Sequence, residues 1–286
     1  MKPATLLRTV AMSLLALAAS TSAHADTITI RSDYWYPYNG EPNRKDEGYM
    51  IELLRKAAAA NGDTIDYALM DWELALQRTL DGTSDCVVGA IASDAPTHAR
   101  TTLPWGQSQN VLYALNDSKF NVRSTTDLLK LRIGAVDDYS YGDNIDEVLK
   151  APEAQVTRVQ ASRRAFPVLA MRLVTGKVDV VIEDRNVANA ALNELGMSQR
   201  IRPVAENLTE ADDIFVACTP NERGRKLVAR FDAVLSEARE SGELPTLLAR
   251  YGLSDWAGTD APEATEAVAS AAKATAPTSQ PALNVH

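Results

Sequence analysis

Residues 64–91, TIDYALMDWELALQRTLDGTSDCVVGAI, pass from one hydrophobic pattern to another and back. Residues 64–69 have the β-branched and aromatic content of a strand, and residues 72–80 place apolar side chains at helical spacing. Residues 85–91 form a short apolar run that is typical of a buried strand. The segment indicates a strand, a helix and a second strand, the order from which parallel sheets are built.

The same alternation continues on both sides of this segment. Upstream, residues 27–31 predict a strand and residues 49–60 predict a helix that ends at Asn61-Gly62, which completes a β-α-β-α-β unit. Downstream, the patterns predict a short helix, a strand, a helix, a strand, a helix and a strand, at residues 125–129, 132–136, 141–150, 155–159, 163–174 and 178–182. The fold class is therefore α/β, with two Rossmann-like units.

The two units contain similar short segments. Residues 80–88 and 174–182 both run from a helix end through glycine and two further residues to aspartate and a buried strand. Residues 110–115 predict a strand that leaves the first unit, and residues 213–218 predict a strand after the second. A helix follows at residues 222–240. If that helix packs on the first lobe, the chain crosses between the lobes twice, and a two-strand hinge borders a cleft.

These patterns define four regions. The first lobe consists of residues 26–113 plus 216–257, and the second of residues 114–215. Residues 1–25 form a signal peptide, with Lys2 and Arg8 before an apolar run and Ser-Ala-His-Ala at the cleavage site. Residues 258–286 are rich in Ala, Thr, Pro and Ser and predict a disordered tail. The signal peptide predicts export to the periplasm.

The charge of the chain limits the kinds of partner that it is expected to bind. The formal net charge is −9, and cleavage after Ala25 leaves 27 basic against 38 acidic residues, a net charge of −11. Such acidity argues against nucleic acid and anionic membranes as partners. The sequence contains no nucleophile elbow, Walker loop or zinc-spaced His and Cys set, so we expect neither a metal nor another cofactor, and no enzymatic activity.

Two cysteines, Cys86 and Cys218, remain after export. In an oxidising compartment such a pair forms a disulfide, or both are small buried apolar residues. The residues themselves leave both alternatives open.

The order of several motifs resembles the solute-binding proteins of polar amino acid ABC transporters, which have the type II periplasmic binding fold. The motifs are SDYWYPY at 32–38, GYMIELL at 48–54, DW at 71–72, TDL at 126–128 before RIG at 132–134, GKVD at 176–179 with ED at 183–184, and SGEL at 241–244 before ARYGL at 249–253. The resemblance covers about residues 27–256. It implies two lobes joined by a two-strand hinge, and strands that bring Cys86 and Cys218 together in a cross-strand disulfide.

The resemblance also implies an aromatic wall in the first lobe. Trp35, or its neighbours Tyr34 and Tyr36, aligns with the aromatic platform of the family, and Trp72 with a second wall. Flat aromatic faces cover the apolar part of a small solute and attract a cationic group. The alternative is that these rings pack in the core of the lobe.

In the second lobe the resemblance implies that Asp184 pairs with the ammonium group of the ligand. The alternative is that Asp184 caps the helix that begins near Arg185. Glu183 is expected to point elsewhere.

The sequence departs from the family at both positions that would hold a carboxylate. Arg100 follows Pro96 two residues later than the family pattern, and either swings into the cleft or faces solvent. In the turn at residues 137–142, Ser140 supplies the hydroxyl, beside Tyr141, in place of a Gly-x-Thr turn. The adjacent Asp137 and Asp138 repel a carboxylate, and either favour a more cationic ligand or face water.

The function implied is capture of a small polar ligand, an amino acid or a relative, for delivery by a monomer to an ABC permease in the inner membrane. Two alternatives remain. The same fold carries periplasmic dehydratases that act on prephenate-like acids, and it also carries ligand sensors that dock on a signalling receptor.

Overall fold

The computed structural model describes residues 25–205 and 208–257, which form two α/β lobes. The predicted signal peptide up to residue 24 and the predicted tail at 258–286 lie outside the described residues. Within the described part of the chain, no helix has the length and apolar character needed to cross a membrane.

The first lobe is built on a mixed six-stranded sheet. Its first five strands in chain order are β1 (Thr27–Ser32), β2 (Thr64–Leu69), β3 (Cys86–Ala90), β4 (Ala99–Arg100) and β5 (Gly106–Ser108). The sixth, β11 (Asp212–Cys218), runs antiparallel to β3, β4 and β5, and the strand order is β2-β1-β3-β11-β4 with β5 paired to β11. Helices α1 (Tyr49–Ala59) and α2 (Trp72–Leu80) connect the parallel strands.

The second lobe is built on a five-stranded sheet. Its strands are β6 (Asn110–Leu115), β7 (Arg132–Val136), β8 (Gln155–Val159), β9 (Val180–Asp184) and β10 (Ile201–Ala205), in the order β10-β6-β9-β7-β8. Its helices are α3 (Asp143–Lys150), α4 (Ala165–Val174) and α5 (Arg185–Leu195), and a 3₁₀ helix spans Thr125–Lys130. The two sheets have the type II periplasmic binding architecture expected from the sequence.

The C-terminal helices return to the first lobe. Helix α6 (Glu222–Glu240) packs on α1 and on α7 (Glu243–Arg250). The predicted apolar face of α6, namely Phe231, Val234, Leu235 and Ala238, is buried in the same hydrophobic cluster as Ile28 and Ile30 of β1. The condition for a double crossing is therefore met, because burial of this face holds the end of the chain on the lobe where it began.

The chain crosses between the lobes after β5 and again before β11. Strand β6 pairs with β9 and β10 in the second sheet, and β11 pairs with β3 in the first. The boundaries expected at 113/114 and 215/216 therefore fall inside strands. The pairing instead places residues 110–115 in the second lobe and residues 212–218 in the first.

A disulfide joins Cys86 to Cys218 across the β3–β11 pair, where the two residues are register partners. It closes a loop with a sequence separation of 132 residues. Both cysteines belong to the first sheet, so the bond ties the returning strand to its own lobe and leaves the hinge free.

Candidate functional site

A cavity of about 220 Å³ lies between the two lobes, at the ends of strands from both sheets. It is the type of crevice in which open α/β sheets bind ligands. The described residues that line it are Asp33, Trp35, Trp72, Glu73, Leu76, Val88, Gly89, Ile91, Asp94 and Asp212 of the first lobe, Ser108 beside the first crossing, and Asn110, Asp138, Tyr139, Ser140, Gly142 and Glu183 of the second lobe.

The first-lobe wall of the cavity is aromatic, and it includes Trp35 and Trp72. The half-buried Trp35 stacks on Tyr38, with ring centroids 4.4 Å apart and an interplanar angle of 27°. Gly89 of β3 lets the indole approach, because it has a φ of +87° and a Cβ there would lie 3.2 Å from the Trp35 ring. Trp72 begins α2, whose N-terminus is capped by Asp71. Both tryptophans thus reach the cavity from the ends of strands β1 and β2.

The second-lobe wall is held against the first by a hydrogen bond across the cleft. The Tyr139 hydroxyl donates to the Asp33 carboxylate. Asp33 directly follows β1, and Tyr139 lies in the loop between β7 and α3. Each lobe therefore contributes one partner to a contact that can form only when the lobes are close together.

The lining is strongly acidic. Six of the described lining residues carry a carboxyl group, and no described lining residue is Lys, Arg or His. The acidic residues are Asp33, Glu73, Asp94, Asp138, Glu183 and Asp212. They do not converge on a metal site, because nowhere in the described ranges do three or more His, Cys, Asp or Glu side chains form a group that could hold an ion.

Burial raises the pKa of the deepest carboxyl groups. Burial raises the pKa of Glu183 to about 8, despite a hydrogen bond from the Asp184 amide that acts in the opposite direction. Burial also raises the pKa of Asp33 to about 6, although the Tyr139 hydroxyl stabilises the carboxylate. The pKa of the half-buried Asp94 is raised for the same reason, and that of Asp212, an exposed residue, is raised by partial burial and by the nearby Asp213 and Glu210. These shifts mean that burial in the cavity disfavours the negative charge of its own carboxyl groups.

Asp184 does not line this cavity. Its carboxylate accepts hydrogen bonds from the amides of Asn186 and Val187 and so caps α5. It also accepts from Ser108 Oγ at 2.9 Å and from the Gln109 amide at 3.1 Å. Asp184 therefore caps α5, which was the alternative left open by the sequence. It also contacts the segment that crosses between the lobes.

Glu183, the neighbour that the sequence analysis expected to point elsewhere, reaches the cavity instead. Glu183, Asp33, Tyr139 and Asp94 line it without having been identified from the sequence. A usable signal existed for the first two, since Glu183 stands at the carboxyl end of β9 and Asp33 directly follows that of β1, at the edge where ligands bind.

Of the remaining residues predicted from the sequence to bind ligand, Ser140 lines the cavity and the others lie outside its described lining. Ser140 lines the cavity, and its hydroxyl donates to Asp146 at 2.7 Å. Tyr141 is buried, and its hydroxyl accepts from the Val136 amide in its own lobe. Tyr34 and Tyr36 line two other cavities, of about 40 Å³ and about 410 Å³.

Arg100 lies in β4, outside the described lining of the cavity. Its guanidinium carbon is 5.2 Å from the centre of the Phe215 ring. The arginine that the family pattern would place on a ligand carboxylate is therefore packed against the first-lobe sheet.

Two α/β lobes, two crossings and an interlobe cavity define a two-lobed solute-binding protein of the type II periplasmic fold. The chain belongs to the bacterial extracellular solute-binding proteins, family 3, whose family model matches residues 28–254. The family and its structural neighbours are binding proteins. A comparison with curated proteins found no match.

Solved structures share this fold at low sequence identity. A mutant of ArgBP from T. maritima superposes with a TM-score of 0.64 at 19% identity, covering 80% of this chain and 96% of that chain. A histidine kinase sensor domain gives 0.65 at 21% identity, covering 80% and 98%. An ABC uptake transporter substrate-binding protein from Streptococcus pneumoniae with bound histidine gives 0.64 at 19% identity, covering 79% and 92%.

Proposed function

We propose that this protein captures a small polar solute with an amino group, an amino acid or a related compound, in the interlobe cavity. The closed form then delivers the solute to an ABC permease in the inner membrane. The observation that carries the proposal is the cavity itself, which combines aromatic walls with carboxyl groups from both lobes. Aromatic faces and carboxylates together suit a solute with an apolar body and a cationic group.

Capture works by shifting an equilibrium between open and closed lobes. A ligand that touches Trp35 on one wall and Glu183 on the other makes all its contacts only in the closed form, and so favours that form. The Asp33–Tyr139 hydrogen bond adds to the closed form in the same way. No chemical step is part of the proposal.

Two observations support a compartment outside the cytoplasm. The signal-peptide pattern of residues 1–25 favours export, and the family is one of extracellular solute-binding proteins. The proposed location is the periplasm, where a monomer diffuses between the solute and its membrane partner.

The structural likeness to a histidine kinase sensor domain supports a second candidate, a ligand sensor that docks on a signalling receptor. The binding physics is identical, because a receptor also reads the closed form. Deletion of the gene separates the two candidates. Loss of solute uptake supports delivery to a permease, whereas intact uptake with loss of the transcriptional response supports the sensor.

The direct test is calorimetric titration of the exported protein, refolded to remove bound ligand, with amino acids and amines. We expect micromolar binding of at least one solute, weakened tenfold or more by Trp35→Ala. Trp256→Ala is the matched control, since Trp256 packs on Tyr49 in the first lobe and does not line the cavity. Equal effects of the two variants, or no binding of any amino-group compound, would contradict the proposal.

A further inference from the structure

Resting on the proposed function, we propose that the solute is an organic amine or guanidine without a carboxylate, the decarboxylated counterpart of a basic amino acid. The cavity provides partners for positive charge and for apolar surface. It provides none of the basic side chains that an α-carboxylate requires.

The first step concerns charge. Six carboxyl groups and no basic side chain are found among the described residues of the lining. A carboxylate placed there would be desolvated among like charges, and burial of an unpaired charge is costly. A cation in the same place gains an attractive interaction with each ionised group.

The second step concerns the turn before α3, where the family holds carboxylate oxygens. Here two donors of that turn are already occupied by a side chain of the helix. Asp146 accepts from Ser140 Oγ at 2.7 Å and from the Tyr141 amide at 2.9 Å. A protein carboxylate thus accepts from two of the donors that a ligand carboxylate would need.

The third step concerns arginine. Arg100 packs over Phe215 and is not among the described cavity residues. The described lining therefore has no basic side chain that could form an ion pair with a carboxylate.

The fourth step concerns Glu183 alone and does not depend on the other five carboxyl groups. Glu183 is 3% exposed, and its carboxylate receives one hydrogen bond, from the Asp184 amide at 2.9 Å. Among the described residues no other hydrogen bond to this carboxylate is found, and Arg163, which lines the neighbouring cavity of about 40 Å³ together with Glu183, pairs with Glu194 at 3.3 Å. A buried carboxylate that faces a cavity with its remaining hydrogen-bonding capacity unused is a site for a cationic donor supplied by the ligand.

The rest of the lining selects an organic cation over an inorganic one. Trp35, Trp72 and Tyr139 present aromatic surface, and Leu76, Val88 and Ile91 present aliphatic surface. The carboxyl groups within the described ranges do not converge as metal ligands would. An amine on an aliphatic or heteroaromatic body satisfies both kinds of surface at once.

The test uses pairs of probes that differ only in the carboxylate. The ligand-stripped exported protein is titrated with agmatine and arginine, cadaverine and lysine, and histamine and histidine. We expect at least one decarboxylated probe to bind ten or more times as tightly as its amino acid. Equal or tighter binding of the amino acids overturns this inference and leaves the proposed function intact. If none of the six binds, this inference falls, and if every other amino acid and amine also fails, the proposed function falls with it.

Two sets of variants sharpen the test. Asp146→Ala releases Ser140 Oγ and the Tyr141 amide, so we expect the preference for agmatine over arginine to fall at least threefold. Asp212→Asn is expected to weaken agmatine threefold to tenfold, and its neighbour Asp213→Asn, outside the described lining, is the control. An unchanged preference in Asp146→Ala, or equal effects at residues 212 and 213, would contradict the assignment.

Discussion

The hydroxyl of Tyr38 lies 3.2 Å from each carboxylate oxygen of Asp184, so the two lobes touch through a buried pair beside the hinge. Tyr38 belongs to the first lobe and stacks on Trp35 at the cavity wall. Asp184 ends β9 of the second lobe and caps α5. Only the ring of Tyr38 therefore separates Trp35, at the cavity wall, from Asp184 beside the hinge.

Asp184→Ala is expected to lower the free energy of unfolding by about 3 kcal/mol. The loss combines a helix cap, worth about 0.5–2 kcal/mol, with buried donors left without a partner, at about 1–3 kcal/mol. Urea unfolding measures it. The matched variant is Asn221→Ala, which removes an exposed cap of α6 made by a single bond to the Gly224 amide. A loss no larger than that of Asn221→Ala would show that the contacts around the hinge add nothing.

Binding of a cation is expected to strengthen as the pH rises from 6 to 8. Burial raises the pKa of Glu183 to about 8, so this carboxyl is mostly protonated at pH 7 in the protein without ligand. A cationic ligand favours the ionised form, and binding must therefore release protons below that pH. Calorimetry in buffers of different ionisation enthalpy measures the release. Affinity that is constant over this range would contradict the assignment of Glu183.

Glu183→Gln provides the control for that titration. The pKa of Glu183 is higher in the folded protein than in the unfolded chain. Its protonated form therefore contributes stability that is present at low pH and lost as the pH rises through about 8. We expect the ligand-free variant to lose less thermal stability between pH 6 and pH 9 than the wild type. The variant should also bind the cation at least 30-fold more weakly, since loss of one partner of a buried charge pair costs about 2–5 kcal/mol.

Tyr139→Phe is expected to weaken ligand binding roughly 10- to 100-fold. It removes the interlobe hydrogen bond to Asp33, and a hydrogen bond to a charged group is worth about 1.5–3 kcal/mol. Small-angle X-ray scattering should show a larger radius of gyration for the ligand-free variant than for the ligand-free wild type. The control is Tyr141→Phe, whose hydroxyl bonds within its own lobe. Equal losses of affinity in the two variants would argue against a role in closure.

Replacing both cysteines, Cys86→Ala with Cys218→Ala, is expected to destabilise the protein by about 5 kcal/mol. The value follows from the loop entropy released when a crosslink over 132 residues is removed. Neither cysteine lines the cavity, so ligand affinity should change less than twofold. Urea unfolding and calorimetry on the same sample measure both quantities. A large change in affinity would indicate that the bond restrains the lobes relative to each other.

Arg100→Gln is expected to leave affinity unchanged within about twofold. The guanidinium packs over Phe215, so its removal alters the first-lobe sheet without touching the cavity. Calorimetric titration of the bound solute measures the effect. A tenfold loss would show that Arg100 swings into the cleft when ligand binds, as in the alternative that the sequence left open.

Much of the fold could be predicted from local pattern. Strand β3 and helix α2 appear at the predicted positions, because apolar periodicity and an aspartate cap act over a few neighbouring residues. The buried face of α6 was also predictable, since Phe231 and Leu235 lie one helical turn apart. The lobe boundaries could not be predicted in this way. A strand such as β6 has the same pattern whichever sheet it joins, and only its pairing with β9 places it in the second lobe.

The sequence by itself determined the α/β class, because this class depends on hydrophobic periodicity, and its resemblance to a known family implied the double crossing and the aromatic wall at Trp35. Only the tertiary structure decided which acid faces the cavity. Asp184 and Glu183 are adjacent, and alternation along β9 sends their side chains in different directions. Asp184 meets Tyr38 and Ser108, which lie 146 and 76 residues away in the chain, and Glu183 is left facing the cavity. Contacts over such separations leave no local pattern, because they exist only once both lobes have folded.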